Sequence, residues 1–295
     1  MTCMSPSPYR LALLQGPALG AGQDGLAAAT EALQSAAAAG AQVAVLPELF
    51  RSPYFCQTMD PAHFDLAESI PGPTTARLQE VAAACGIVII ASLFERVAPG
   101  LSANTTVVID ADGAYLGAYR KAHIPDDPSY LEKFYFMPGD TPYRAFDTRV
   151  GKIGVLICWD QWYPEAARLT AMQGASLIVY PTAIGRLDGE SREEQERQRD
   201  AWITVQRGHA IANGVYVAAV NRAGREGALD FWGSSFVAGP QGELLAVAGE
   251  EGPETILVDI NPARIEEVRR WWPFFRDRRV DTYSALTARW PRGES

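Results

Sequence analysis

The stretch that decides the fold is AQVAVLPE, Ala41–Glu48, an apolar run that stops at an acid. Two other runs end the same way: AYLGAYRK (Ala114–Lys121) on a lysine and KIGVLIC (Lys152–Cys158) on a cysteine. Runs of this length, rich in Val, Ile, Leu and Tyr, read as strands covered on both faces. Strands of that kind present their chemistry where the chain leaves the sheet, at their C-terminal ends. A carboxylate, an ammonium and a thiol can therefore meet at one sheet edge although they lie far apart in sequence. That set can run nucleophilic catalysis, and it predicts an enzyme.

Working outward, strands are expected at Tyr9–Leu14, Gln42–Leu46, Ile87–Leu93, Thr105–Ile109, Ala114–Arg120, Lys152–Ile157, Ser176–Tyr180, Val215–Val220, Ser234–Ala238, Leu244–Ala248 and Thr255–Asp259. Asp112–Gly113 marks a hairpin turn. Helices are expected at Gly25–Ala39, closed by Gly40, at Thr74–Cys85 and from about Pro164 to Gln173. A long fourth helix runs to Asn213, with Ser191 as its cap, Glu193, Glu194 and Glu196 in its early turns, and Gly214 as its stop. Helices alternating with strands early, and hairpin-like strands later, predict an α/β fold of two mixed sheets flanked by helices, a four-layer αββα sandwich. No repeat or linker interrupts the 295 residues, which reads as a single domain (core about 8–262, tail 263–295). The tail's WWPFFRDRR, Trp271–Arg279, is read either as a lid on its own domain or as part of a subunit contact. Trp271 and Trp272 are taken as packing residues, as is the His209–Ala212 segment of the long helix.

Composition excludes several classes. A net charge of -9, from 26 basic and 35 acidic residues, argues against a nucleic-acid or anionic-membrane surface. No stretch approaches the roughly 20 apolar residues needed to span a bilayer. The run Leu11–Leu14 is too short for a signal-peptide core, so a mature cytoplasmic start is expected. Cys3, Cys56, Cys85 and Cys158 show no paired spacing, which argues against a disulfide framework or zinc ribbon. With only His63, His123 and His209 besides, no metal and no organic cofactor is expected.

Cys158 sits where strand turns into helix, a nucleophile-elbow arrangement. This placement predicts a lowered thiol pKa and makes the Trp159 N–H a candidate oxyanion donor. Glu48, at the end of a buried strand, must face solvent, a partner or a pocket, because unpaired burial costs several kcal/mol. As a base it would take the thiol proton and return it to a leaving amine. Lys121 could hold both thiolate and oxyanion. The bland alternatives are a buried small hydrophobe at Cys158, an exposed loop acid at Glu48 and a surface lysine at Lys121.

LPELF around Glu48, YRKAHIP around Lys121 and ICWDQWYPEAAR around Cys158 resemble the three signatures of the nitrilase, or carbon–nitrogen hydrolase, superfamily. Their order and separations match as well, over nearly the whole chain. The resemblance implies an αββα fold, a Glu–Lys–Cys triad at Glu48, Lys121 and Cys158, and a second supporting glutamate at Glu132. It also implies assembly into dimers or larger homo-oligomers. HIPDDPSYLEKFYFMPGDT, CWDQWYPEAARL, YPTAIG and FRDRR most resemble the branch that hydrolyses N-carbamoylputrescine. The segments 185–200 and Gly224–Asp230 depart from that branch.

Such a substrate carries a ureido group at one end and an ammonium on a four-carbon stem at the other. The far end calls for an apolar tunnel with an acid or an aromatic face. Asp126, Asp188 and Glu190 are the candidate acids, and Tyr54, Trp162, Thr182 and Trp232 the candidate walls. Carboxylate-bearing substrates (3-ureidopropionate, carbamoyl amino acids, ω-amides) would instead need an arginine, for which Arg186 or Arg207 could serve. An idle binding module on the same fold and a papain-type Cys–His enzyme are further readings, the second disfavoured by the sequence around Cys158.

Overall fold

The computed structural model describes residues 7–290 apart from 18 and 21. In chain order the first half contains β1 (Tyr9–Pro17), α1 (Leu26–Ala38), β2 (Val43–Val45), α2 (Pro73–Cys85), β3 (Val88–Ala98), β4 (Leu101–Ile109) and β5 (Tyr115–Arg120). The second half contains β6 (Ala145–Thr148), β7 (Gly151–Val155), α3 (Pro164–Met172), β8 (Leu177–Pro181), β9 (Gly185–Leu187) and α4 (Arg192–Asn213). It continues with β10 (Tyr216–Val220), β11 (Arg222–Glu226), β12 (Leu229–Trp232), β13 (Phe236–Ala238), β14 (Leu244–Val247), β15 (Glu254–Ile260) and α5 (Ala263–Trp271).

Two mixed sheets result. One has the order β5-β4-β3-β2-β1-β11-β12-β9, with β15 also paired to β1; the other has the order β14-β13-β10-β8-β7-β6. Strand faces explain why their sequences are apolar without alternation. Leu11, Leu13, Val43, Val45, Val88 and Ile90 join Ile153 and Val155 in the larger core between the sheets. Their neighbours Ala12, Leu14, Ala44, Leu46, Ile89 and Ala91 pack against Ala29 and Leu33 of α1 and Leu78 and Val81 of α2. The period-2 geometry of a strand thus feeds two cores from one run. On the far side, Ala166 and Ala171 of α3 and Trp202 and Ala210 of α4 cover the second sheet. The four layers are helix, sheet, sheet, helix, as the sequence predicts.

The helix signals act as expected. Ser191 accepts the Glu194 N–H at 3.2 Å, and Gly214 takes the left-handed conformation at φ 55° that ends α4. His209 and Ala210 are buried, with the His209 ring against the Gln161 carbonyl. Four short strands, β6, β9, β11 and β12, escape the sequence reading because AFDT, GRL, RAGRE and LDFW are too short to show a sustained alternation or a long apolar run. The helix α5 is also unforeseen; only Ile265 and Val268, three apart, mark its buried side.

The tail tryptophans are not packing residues: Trp271 is 82% exposed and Trp272 45% exposed. Position 271 is the last residue of α5 and points away from the buried face, while Phe275 does the packing between the guanidinium groups of Arg168 and Arg269. Leu13, wholly buried between the sheets, tests the double-core account. Leu13→Ala is expected to lower unfolding free energy by about 2–5 kcal/mol in denaturant titration. A loss below about 1 kcal/mol would contradict the packing described.

Candidate active site

Strand direction brings the three reactive residues to one edge. β2 runs parallel to β3, β4 antiparallel to β3, and β5 antiparallel to β4. Therefore β5 points the same way as β2, and Lys121 leaves the sheet on the same side as Glu48. Cys158 comes from the opposing sheet, three residues beyond β7. Glu132, in the short turn Glu132–Phe134, closes the group.

The geometry is tight. The Lys121 ammonium donates to Glu48 Oε1 at 2.8 Å and to Glu132 Oε2 at 2.6 Å, and all three side chains have no exposure. Asn104 Nδ2 donates to Glu48 Oε1 at 2.7 Å, and the Tyr54 hydroxyl donates to Glu132 Oε1 at 2.6 Å. Asn104 is itself fixed by the Ser92 hydroxyl at 3.0 Å. Glu48 Oε2 is buried and has no hydrogen-bond partner, so one carboxylate oxygen is left able to receive a proton.

Electrostatics follow from this enclosure. Burial disfavours the Lys121 ammonium, but Glu132 and Glu48 together outweigh it and hold the lysine charged, well above its ordinary pKa. Burial pushes the Glu132 carboxyl up to about 7, against the pull of Lys121. The Cys158 thiol is raised well above its usual value, first by burial and then by the Glu48 charge, with Lys121 opposing. This corrects the lowered thiol expected from the sequence. The expected helix N-terminus is a short 3-10 turn, Cys158–Trp162, and α3 begins only at Pro164. A turn of that length offers little dipole, and the carboxylate charges dominate.

Cys158 has φ 40°, a left-handed conformation that is strained for a residue with a Cβ and typical of a nucleophile elbow. Asp160 fixes the elbow. Its Oδ2 accepts the Ile157 N–H at 3.0 Å and the Tyr119 hydroxyl at 2.9 Å, while Oδ1 accepts the His123 N–H at 3.0 Å. One buried carboxylate thus ties the Cys158 turn to the chain on both sides of Lys121. His123 Nδ1 lies 2.6 Å from Asp160 Oδ1 and His209 Nε2 lies 2.8 Å from the Gln161 carbonyl, and neither histidine is among the residues that line the cavity with Cys158.

The Cys158 side chain opens on a cavity of about 440 Å³. Trp159, Trp162, Glu190 and Trp232 line it, with Asp127 and Tyr130. Four other expected substrate contacts do not. Tyr54 lies behind the wall and serves Glu132. Thr182 is buried with its hydroxyl donating to the Tyr180 carbonyl. Asp126 is exposed and its neighbour Asp127 faces the cavity instead. Asp188 points outward to an ion pair with Arg225. Arg186 is held by Asp230 and Glu250, and Arg207 by the Gly242 carbonyl, so neither is among the lining residues. Among the described residues no lysine or arginine lines the cavity. No group of His, Cys, Asp and Glu suited to a metal occurs among the described residues either. Asn104 and Asp160 were missed in the sequence. A polar residue inside the buried strand SANTTVVI was the available signal for Asn104; nothing local marked Asp160.

The fold and this site define a hydrolase of carbon–nitrogen bonds, and comparison with known proteins agrees. Residues 10–270 match the carbon–nitrogen hydrolase family, and the chain belongs to it. It is 44% identical over 270 residues to N-carbamoylputrescine amidase of Solanum lycopersicum, covering 88% of this chain and 89% of the relative. It is 40% identical over 260 residues to citrullinase of Francisella tularensis, covering 86% of this chain and 90% of the relative. A carbon–nitrogen hydrolase structure from Helicobacter pylori G27 superposes with a TM-score of 0.93 at 45% identity, over 96% of this chain and all of that one. The protein is an amide hydrolase of this superfamily.

The raised thiol makes a testable statement about the resting enzyme. Alkylation of Cys158 by iodoacetamide, followed as loss of activity, is expected to keep accelerating above pH 9. A plateau reached below pH 8 would show a stable thiolate and overturn the electrostatic account.

Proposed function

We propose that the protein hydrolyses the ureido C–N bond of N-carbamoylputrescine, giving putrescine, carbon dioxide and ammonia. The observation that carries the substrate choice is Glu190. Its Oε1 accepts from Gln198 at 3.1 Å, while its Oε2 is buried without a partner, on the wall of the cavity that Cys158 opens into. A buried carboxylate oxygen in that position suits an ammonium, and Trp162 and Trp232 offer apolar and cation–π surface along the way. A substrate carboxylate would find no cation on the lining. That weighs against 3-ureidopropionate, ω-amides and the amino-acid end of citrulline. The similarity to the tomato amidase supports the same reading.

In the proposed mechanism Glu48 Oε2 takes the thiol proton as the sulfur bonds to the ureido carbon. Lys121 and the Trp159 N–H, at the start of a helical turn where N–H groups lack intrahelical partners, stabilise the oxyanion. Glu48 passes its proton to the departing nitrogen, and the C–N bond breaks to leave an S-acyl enzyme. Water, deprotonated by Glu48, then attacks the thiocarbamate; Glu48 returns the proton to the leaving sulfur, and the carbamic acid set free breaks down to carbon dioxide and the second amine. Glu132 keeps Lys121 in place throughout.

Ammonia release measured over N-carbamoylputrescine, citrulline, 3-ureidopropionate, a dicarboxylate monoamide and a neutral N-alkylurea tests the substrate. Carbamoylputrescine is expected to give the highest kcat/KM, and Cys158→Ala to abolish turnover. Glu190→Gln is expected to raise KM for carbamoylputrescine about tenfold or more, the loss of roughly 1.4 kcal/mol of binding, with less than about a threefold effect on the neutral urea. Equal effects on both compounds would remove Glu190 from ammonium recognition. Preference for a carboxylate-bearing substrate would reject the assignment.

A further inference from the structure

The buried pair Arg222–Glu226 has no part in the chemistry above, yet its contacts converge on the residues that do. Arg222 is 1% exposed and pairs with Glu226 Oε1 at 2.8 Å. Its Nη2 donates to the carbonyls of Leu49 at 2.6 Å, Ser52 at 2.9 Å and Glu48 at 3.1 Å, and its Nε to the Glu48 carbonyl at 3.3 Å. Glu226 Oε2 accepts the Tyr54 N–H at 2.6 Å, and Tyr54 in turn donates its hydroxyl to Glu132. The segment Glu48–Tyr54 therefore carries one carboxylate partner of Lys121 at its start and the hydrogen-bond donor to the other at its end. The ion pair grips it at both.

The geometry points to Arg222 and Glu226 as positioning residues that set where both carboxylates meet Lys121. This rests on Glu48 acting as the base. A plain core role accounts poorly for the arrangement, because a buried ion pair is commonly no more stabilising than apolar side chains of the same volume. What this pair supplies is direction. A planar guanidinium can serve several carbonyls and a carboxylate at once, which an ammonium cannot. The turn it holds needs holding: Leu49, next to Glu48, sits at φ 49°, strained for a leucine. A relaxed turn would shift Glu48 Oε2 relative to Cys158, and displacements of about 1 Å can cost on the order of a hundredfold in rate.

Arg222→Lys is the discriminating change, since it keeps the buried positive charge beside Glu226 and removes the fork. It is expected to lower kcat about 10- to 100-fold with KM within about threefold and thermal midpoint near that of the unaltered protein. Hydrogen exchange should quicken at the amides of residues 49–55 and stay unchanged at 158–163. Should Arg222→Lys fail to fold, Glu226→Gln, which removes the charge and one acceptor, is expected to give the same kcat-selective loss. Unaltered kcat in a folded variant would overturn the proposal. So would loss of kcat, KM and folded fraction together, which marks a merely structural pair. Activity is read on whichever amide the unaltered enzyme turns over best, so a wrong substrate assignment leaves this test intact. Hydrogen exchange requires no substrate.

Discussion

The site depends on an ammonium held out of water between two acids. Lys121 has lost its hydration, and only the Glu48 and Glu132 carboxylates make its charge tolerable there. The same pairing uses up acceptors. Lys121 and Asn104 occupy Glu48 Oε1, and Lys121 and Tyr54 occupy the two oxygens of Glu132. Glu48 Oε2 is the one carboxylate oxygen of the group without a hydrogen-bond partner. The two chemically identical side chains differ in this accounting: each oxygen of Glu132 has a donor, while Glu48 has both of its donors on one oxygen and keeps the other without a partner.

Holding such a group rigid falls to backbone supports drawn from both sheets. Asp160 ties the Cys158 turn to the chain around Lys121, and Arg222 ties the turn after Glu48 to β11. Two of the four described non-glycine residues with positive φ, Leu49 and Cys158, lie at these places, where the chain must leave a buried strand and at once present a side chain sideways. Short stiff exits from deep strands favour such conformations, and the polar supports oppose the relaxation that would otherwise follow.

Much of this was legible in the sequence because a strand buried on both faces needs an unbroken apolar run, and the polar residue that ends the run stands out. Glu48, Lys121 and Cys158 were visible for that reason, as was the layered fold. Partners such as Asn104, Asp160, Arg222 and Glu226 were not. A polar residue that completes a buried network looks, in one dimension, like any polar residue on a short strand or turn. The cavity walls were harder still. Asp188 and Glu190 lie two apart in one turn, yet the first pairs outward with Arg225 while the second lines the cavity. Their choice is set by β9 and β12 packing beside them, and those strands themselves left no periodic trace.

The misjudged thiol shows how the physics of the site differs from its sequence signature. An elbow at a helix start ordinarily favours a thiolate, but here the turn is short and the nearest charges are mostly negative. A thiolate formed in the empty site would lie beside Glu48 and Glu132 with only Lys121 to balance them. In the proposed mechanism, transfer of the proton to Glu48 Oε2 removes one of those negative charges at the moment the sulfur acquires its own. On that proposal the nucleophile is best made during attack, when the new charge can pass on to the substrate oxygen that Lys121 would stabilise. A resting thiol kept neutral by burial is then consistent with catalysis, because the stabilisation is reserved for the charge that appears in the transition state.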